Sequence, residues 1–87
     1  MKYIYAHPFE SISDFKWSMK TGGEVEFEWK GKDYSILRVA DGILFTEQYK
    51  PETAVTMQDI EQILDCTIDG QKLREIITKV NVIFRFI

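Results

Sequence analysis

The chain has 87 residues and a formal net charge of −3, and its 45% hydrophobic and 14% aromatic content is typical of a globular protein rather than a disordered one. This length predicts a single domain over residues 1–87, and the acidic balance argues against direct nucleic-acid binding, which usually needs a basic face. A lone cysteine excludes an internal disulfide and is compatible with a reducing compartment. The sequence has no apolar run long enough to span a membrane and no signal-peptide layout at its N-terminus, so we expect a cytoplasmic protein without membrane contact.

The N-terminal part of the chain predicts a short strand followed by a helix. Residues 1–6 have the β-branched and aromatic side chains of a strand, which the proline at position 8 ends. Residues 9–20 have an apolar stripe at helical spacing, with Ser11 as the expected N-cap and a Gly-Gly pair at the end. Trp17 lies off that stripe, so we expect either an exposed partner-binding residue or a residue that packs at the helix edge.

Residues 24–49 predict three strands joined by two tight turns. The first segment alternates acidic and apolar residues without a break, which is the period of a half-buried strand. The pairs Lys30-Gly31 and Asp41-Gly42 supply the turns, because glycine adopts positive φ without steric cost.

Two registers stay open at the first turn. A two-residue loop pairs Phe27 with Tyr34, whereas a four-residue loop pairs Trp29 with Tyr34. At the second turn, the expected two-residue loop pairs Arg38 with Phe45. Each of these registers keeps the apolar side chains on one face, because only a slip by one residue exchanges the faces.

The alternation predicts one aromatic-rich core face and one mostly polar face. The core face is expected to carry Val25, Phe27, Trp29, Tyr34, Ile36, Ile43, Phe45 and Tyr49. The polar face is expected to carry Glu24, Glu26, Glu28, Asp33, Ser35, Thr46 and Gln48. It also carries a small apolar group near the second turn, formed by Leu37, Val39 and Leu44.

The second half of the chain predicts a loop, two helices and a last strand. After a loop at residues 49–53, a short helix is expected with Thr56 as its N-cap. A third helix is expected to start at Asp69, since apolar residues then recur at helical spacing as far as Val80. Residues 81–87 are strand-like and are expected to join the sheet. Their alternate residues would share one face: Val82, Phe84 and Phe86.

These elements predict an α+β fold, an antiparallel three-stranded meander with helices packed on its aromatic face. The two terminal strands are candidates to extend the sheet, because an apolar strand left unpaired is an aggregation hazard. No internal repeat, low-complexity tract or linker divides the sequence.

Two segments carry a resemblance to known proteins. One runs from Phe15 to Tyr34 and contains the sequence Gly-Gly-Glu-Val-Glu-Phe-Glu-Trp-Lys-Gly-Lys-Asp-Tyr; the other covers residues 69–77. Both are similar to a family of small uncharacterised proteins from phages and integrated mobile elements of Gram-positive bacteria. That family has no established catalytic residues, so the resemblance implies no site. It implies an accessory, host-interacting or regulatory role.

Glu24, Glu26 and Glu28 form an acidic row on the predicted polar face. Such a row most often serves as a solvated face that keeps a sheet soluble. The functional interpretation is a docking surface for a basic partner. A third interpretation is a mimic of nucleic-acid phosphates that inhibits a nucleic-acid-binding protein.

Leu37, Val39 and Leu44 form the best candidate for an apolar partner-binding patch. The alternative is that a terminal strand or a second copy of the chain covers them. A homodimer is therefore one expectation, formed through this patch or through an edge strand of the sheet.

No constellation of residues predicts catalysis, a metal site or a cofactor. His7 stands beside a proline near the chain end without a nucleophile or an orienting carboxylate, and Cys66 is expected to be a small buried apolar residue. Gly22-Gly23 lacks the further glycines and the lysine of a phosphate-binding loop, and no Cys/His set has zinc spacing. We therefore expect a protein that is not an enzyme and that needs no cofactor.

Two functions are left by this reasoning. The first expectation is a protein-interaction module, a phage or mobile-element accessory protein that binds a host or phage protein. The alternative is a nucleic-acid-linked regulator, which would contact DNA or RNA directly or mimic its phosphates. A salt-sensitive shift on mixed nucleic acid would favour the regulator, and one stoichiometric partner from a host lysate would favour the interaction module.

Overall fold

The computed structural model describes residues 5–86 and shows an α+β fold built on a five-stranded antiparallel sheet. Its strands are β1 (Glu24–Trp29), β2 (Lys32–Val39), β3 (Gly42–Glu47), β4 (Lys50–Met57) and β7 (Asn81–Phe84), in the order β4-β3-β2-β1-β7. The helices are α1 (Ile12–Gly22), α2 (Ile60–Leu64) and α3 (Leu73–Ile76), and β5 (Thr67–Ile68) forms a small hairpin with β6 (Gln71–Lys72). The predicted meander is confirmed, and a strand on each side extends it.

α1 has the caps that the sequence predicts, although it spans Ile12–Gly22 and not residues 9–20. The Asp14 amide donates to the Oγ of the N-cap Ser11 at 3.1 Å, and Gly23 closes the helix in the left-handed conformation at φ 76°. Phe15 and Met19 are fully buried and pack into the core. The apolar stripe therefore holds the helix against β1.

The first turn has the shorter of the two loops that the sequence allowed. Lys30 and Gly31 both have positive φ, 53° and 84°, as a type I′ hairpin loop requires. Phe27 consequently pairs with Tyr34, and their rings stack with centroids 5.3 Å apart.

The second turn lies one residue earlier than predicted. Its loop residues are Ala40 and Asp41, and Phe45 pairs with Ile36 instead of Arg38. Moving a two-residue loop by one position shifts the pairing by two residues, which leaves each side chain on its predicted face. The assignment of the faces therefore stands although the turn was misplaced.

A fourth strand, β4, replaces the loop and helix start that were predicted after residue 48. Tyr49, expected on the core face, lies in the turn between β3 and β4 and is 92% exposed. Thr56, expected as a helix N-cap, is a strand residue opposite Leu44, and Asp59 caps α2 instead. The prediction failed because β4 is an edge strand whose residues are nearly all exposed, so no alternation marks it.

The third predicted helix is shorter than expected and is preceded by the β5–β6 hairpin. Asp69 and Gly70, expected as the helix start, form the hairpin loop with φ values of 51° and 81°. α3 spans only four residues, although the apolar residues of the predicted stripe are buried. These residues are Leu73, Ile76, Ile77 and Val80.

β7 joins the sheet, as expected for the C-terminal strand, and its neighbour there is β1, with which it pairs in an irregular register. Val82 pairs with Phe27 and is buried, whereas Phe84 pairs with Glu26 on the opposite face. The prediction that Val82 and Phe84 share a face is therefore wrong, because a bulge between the two pairs reverses the alternation. The strand predicted over residues 1–6 falls mostly outside the described residues.

The core is one cluster of buried side chains between the sheet and the helices. The sheet contributes Val25, Phe27, Tyr34, Ile36, Ile43, Phe45 and Val82, with Trp29 partly buried against them. The helical side contributes Phe9, Phe15, Met19, Ile63, Leu64, Ile68, Leu73, Ile76, Ile77 and Val80. All three helices therefore lie on the predicted aromatic face of the sheet.

Arg85 ties the two ends of the chain to α1. Its guanidinium donates to both carboxylate oxygens of Asp14, at 3.0 and 2.5 Å, and lies 4.6 Å from the ring centroid of Phe9. It also donates to the main-chain carbonyls of His7 and Pro8. The hydrogen bonds from Arg85 hold the pKa of Asp14 below its usual value, so the pair is ionised at neutral pH.

Replacement of Phe27 by Ala tests the placement of the core. Phe27 is fully buried and stacks on Tyr34, so Phe27→Ala should lower the free energy of unfolding by about 3–5 kcal/mol. Urea unfolding followed by circular dichroism measures the change. Val55→Ala, at an exposed position on β4, is the control and should cost far less. A loss below about 1 kcal/mol at Phe27 would contradict its central position.

Two glycine substitutions test the second turn. Both Gly31 and Gly42 have positive φ, but a Cβ at Gly31 would meet nothing within 4 Å, whereas a Cβ at Gly42 would lie 2.1 Å from the Met57 carbonyl oxygen. Gly31→Ala should therefore cost only the strain of the left-handed region, about 1–2 kcal/mol. Gly42→Ala should cost more, because β4 must also move away from β3. Equal melting temperatures of the two variants would contradict this close approach.

Candidate functional site

The side of the sheet away from the core carries the predicted acidic row and apolar group, and none of the helices within residues 5–86 packs against it. We call this side the open face. Its residues on the three central strands are Glu24, Glu26, Glu28, Asp33, Ser35, Leu37, Val39, Leu44 and Thr46. The alternation that buries their neighbours places them there.

Glu24 and Glu26 form an acidic pair at one end of β1. Glu24 lies directly across from Leu37 on β2, and both glutamates are half-buried. Burial raises the pKa of Glu26 above its usual 4.5, and a hydrogen bond to the Glu24 carboxyl and the charges of Glu24 and Asp33 raise it further. The negative charge of Glu26 is therefore unfavourable in the unbound chain.

Glu28, the third member of the predicted acidic row, has a structural role. Its carboxylate accepts hydrogen bonds from the Gly31 amide at 2.6 Å and from the Asn81 Nδ2 at 2.7 Å. It also accepts from the hydroxyl of Tyr5 at 3.5 Å. These contacts fix the first turn and connect β1 to β7. Within the acidic row, Glu28 therefore has a structural role, and Glu24 and Glu26 remain as the acidic pair.

The apolar group lies next to the acidic pair. Leu37 and Leu44 face each other across β2 and β3, and Val39 follows Leu37 on the open face of β2. Leu37 is 39% exposed, and the other two side chains are half-buried. The structure thus brings six of the seven predicted partner-binding residues onto one face, with Leu37 in direct contact with the acidic strand.

Phe84 is an open-face residue that sequence reasoning missed. It lies across from Glu26, on the side of β1 away from the apolar group, and is 46% exposed. Strict alternation assigns Phe84 to the face of the buried Val82, and no residue of the strand signals the bulge that reverses it. The acidic pair is therefore flanked by exposed apolar side chains on both sides.

Trp17, the seventh predicted residue, lies elsewhere. It is 48% exposed on α1, which confirms its exposure but places it on the helical side of the sheet. Phe86 lies near the end of the same helix, where its main-chain carbonyl accepts from the Ser18 hydroxyl at 3.1 Å. Trp17 therefore does not belong to the surface formed by the acidic pair and the apolar group.

A cleft of about 410 Å³ lies on the helical side, between β4 and the β5–β6 hairpin. The rings of Tyr34 and Phe45, with centroids 5.9 Å apart, line it together with Cys66. Burial, and then the charges of Glu47 and Asp69, raise the pKa of Tyr34, and burial raises the pKa of the Cys66 thiol. The thiol is therefore protonated at neutral pH and is a poor nucleophile.

The other residues considered for catalysis or metal binding are explained by local structure. His7 pairs with Glu10 at 3.0 Å on the surface, and Gly23 is the C-cap of α1. Within the part of the chain that the structure describes, no group of three His, Cys, Asp or Glu side chains is arranged to hold a metal ion.

Comparison of the chain with protein-family models, with curated proteins and with solved structures finds no match. Among residues 5–86, no helix has both the length and the apolar composition needed to cross a bilayer.

The acidic pair predicts a measurable dependence of stability on pH. Because the pKa of Glu26 is raised in the folded chain, its protonation stabilises the fold, and this stabilisation is lost as the pH rises through the raised pKa. Glu26→Gln should therefore raise the melting temperature at pH 7. The gain should shrink as the pH falls towards 4.5, which thermal unfolding across the pH range measures.

Asp14→Asn supplies a control of opposite sign. Arg85 lowers the pKa of Asp14, so the ionised carboxylate stabilises the fold at pH 7, and this stabilisation is lost as the pH falls through the lowered pKa. Asp14→Asn should lower the melting temperature at pH 7, and the loss should shrink in acid. A lowered melting temperature for Glu26→Gln at pH 7 would contradict the unfavourable charge of Glu26.

Proposed function

We propose that the protein is a non-catalytic protein-interaction module and that its open face binds a protein partner with a basic, partly apolar surface. The observation that carries the proposal is the position of Glu24 directly across from Leu37, which places the acidic pair next to the apolar group on a sheet face that no helix within residues 5–86 covers. Exposed apolar area beside charge of one sign is typical of surfaces that bind proteins and select among them by charge.

The electrostatics of the acidic pair favour a cationic partner. The charge of Glu26 is unfavourable in the unbound chain because burial and neighbouring acids raise its pKa. A lysine or arginine of the partner within about 4–6 Å would lower that pKa again, since an opposite charge favours the ionised carboxylate. Binding would therefore relieve a penalty that the unbound chain carries.

Binding of a second copy of the chain to the open face has less support than binding of a different protein. A two-fold contact through Leu37, Val39 and Leu44 would bring two acidic pairs to one interface, where like charges oppose association. Pairing through the edge strand β4 is also disfavoured, because Pro51 lacks a donor and β4 is irregular where its register with β3 shifts, opposite residues Phe45 to Glu47.

Phosphate mimicry and direct nucleic-acid binding have less support as well. A phosphate mimic needs a long row of available carboxylates, whereas the Glu28 carboxylate is engaged by the turn and by β7. Direct binding needs a basic face. The open face instead carries four acids: Glu24, Glu26, Glu28 and Asp33.

An enzymatic function has no support from the cleft. Cys66 lines the cleft, but burial raises the pKa of its thiol, which is therefore a poor nucleophile, and His7, which could act as a base, pairs with Glu10 on the surface instead. The phage or mobile-element origin and the cytoplasmic location stay predictions, as does the accessory role that the family resemblance implies.

The double variant Glu24→Gln/Glu26→Gln tests the proposal against the native partner, isolated by co-purification from the source cells and identified. The variant should associate more slowly at low salt, and its association rate should depend less on salt, because surface charges act mainly on the association rate. Surface plasmon resonance at low and high salt measures both effects.

Glu52→Gln/Glu75→Gln is the charge-matched control, since it removes two exposed acids on β4 and α3. This control should retain the association rate of the parent chain. Equal rates for the acidic-pair variant and the parent at every salt concentration would reject the open face as the docking surface. An equal loss in the control would show an effect of net charge alone.

A further inference from the structure

We infer that the element of the partner that occupies the open face is an amphipathic α-helix, with an apolar stripe and a row of lysine or arginine residues along one flank. The inference rests on the proposed function and adds the structural class of the partner. It follows from the main-chain pairing of the sheet, from the combined width of the acidic pair and the apolar group, and from the spacing of the two glutamates.

The main chain of the open face is directed along the sheet and not towards a partner above it. β1, β2 and β3 each have a hydrogen-bonded neighbour on both sides, so their amides and carbonyls lie in the plane of the sheet and are largely paired there. A partner segment on this face can therefore contact only side chains. Its own main chain must be hydrogen-bonded internally, because unpaired polar groups are costly when buried, and among single segments a helix meets that condition.

The dimensions of the open face fit one helix. Neighbouring strands lie about 4.8 Å apart, so the distance from β3 across β2 to β1 is about 10 Å, the diameter of a helix with its side chains. A helix centred over β2 would place its apolar stripe on Leu37, Val39 and Leu44. Its flank would then lie over Glu24 and Glu26 on β1.

The spacing of the acids fits the repeat of a helix. Residues two apart on a strand are about 6.6–6.8 Å apart, and residues four apart on a helix rise by about 6.0 Å. Lysine or arginine residues at positions i and i+4 of the partner helix can therefore each approach one member of the acidic pair. Phe84 lies beyond that pair and would contact the methylene stems of the same basic side chains.

The chain itself contains a helix with part of this pattern. Lys16 and Lys20 are spaced i, i+4 on α1, beside the exposed Trp17. However, Lys16 already forms an ion pair with Glu61. Hydrogen bonds from Lys16 and Arg74 lower the pKa of Glu61 and so stabilise its carboxylate. A head-to-tail contact between copies would have to break this network, so we assign the open face to a different protein.

Two synthetic peptides of equal composition test the inference. Each has about 18 residues, enough to form a helix in water, with the same leucine stripe. In the first peptide, lysines at i and i+4 flank the stripe; in the second, the same lysines lie on the face opposite it. The first should bind at least about tenfold more tightly in an isothermal titration, which corresponds to about 1.4 kcal/mol. Amide chemical-shift changes in the protein should concentrate on β1, β2 and β3.

Two protein variants locate the contact. Glu24→Gln/Glu26→Gln should abolish the preference for the first peptide, and Leu37→Asn, at an exposed position, should weaken both peptides about equally. Circular dichroism and melting temperature establish that both variants are folded. Equal affinities of the parent chain for the two peptides, or shift changes centred on the cleft between β4 and the β5–β6 hairpin, would overturn the inference.

The failure of this inference is distinguishable from failure of the proposed function. If the native partner depends on the acidic pair but neither peptide binds, the open face docks a partner of another structure. If the partner is unaffected by open-face variants, the proposed function itself is wrong. Concentration-dependent self-association in sedimentation, lost in Trp17→Ala/Lys20→Gln, would overturn the assignment of the face to a different protein.

Discussion

An antiparallel sheet must bury its apolar face against a packed layer of helices or a second sheet, and it can leave its other face to solvent. The helices within residues 5–86 have 11, 5 and 4 residues, and their buried apolar residues belong to one core cluster on one side of the sheet. The alternation in β1 obeys this constraint, since Val25 and Phe27 are fully buried while Glu24 and Glu26 face the other way. Because these helices all pack on the apolar face, none of the helices that the structure describes covers the open face.

Arg85 determines how the ends of the chain close around this arrangement. Burying a guanidinium is costly unless it is paired, and here it is held by Asp14, by the Phe9 ring and by two main-chain carbonyls. Because Arg85 must reach α1 on the core side, the residue before it, Phe84, points to the open face. The contact that closes the fold therefore also completes the apolar border of the acidic pair.

The parts of the fold that could be predicted are those with a local signal. The period of two in residues 24–47 determines which side chains are buried, and a turn misplaced by one residue leaves that result intact. The cap of α1 at Ser11 is likewise a local feature. β4 could not be predicted because an exposed edge strand has no alternation, and Asp69-Gly70 was misassigned because the same residues suit a helix start and a hairpin loop.

The same distinction applies to the candidate site. Alternation alone placed Glu24, Glu26, Leu37 and Leu44 on one face, but it could not separate them from Glu28, which differs only through its partners on β7 and in the first turn. Those partners depend on long-range pairing, as does the position of Phe84. The open face thus carries a half-buried acidic pair in which burial and neighbouring acids raise the pKa of Glu26, and the exposed side chains of Leu37 and Phe84 lie on either side of that pair. This combination of a raised pKa at Glu26 with partly exposed apolar side chains on both sides of the acidic pair could be recognised only after the long-range pairing of β1 with β7 was known.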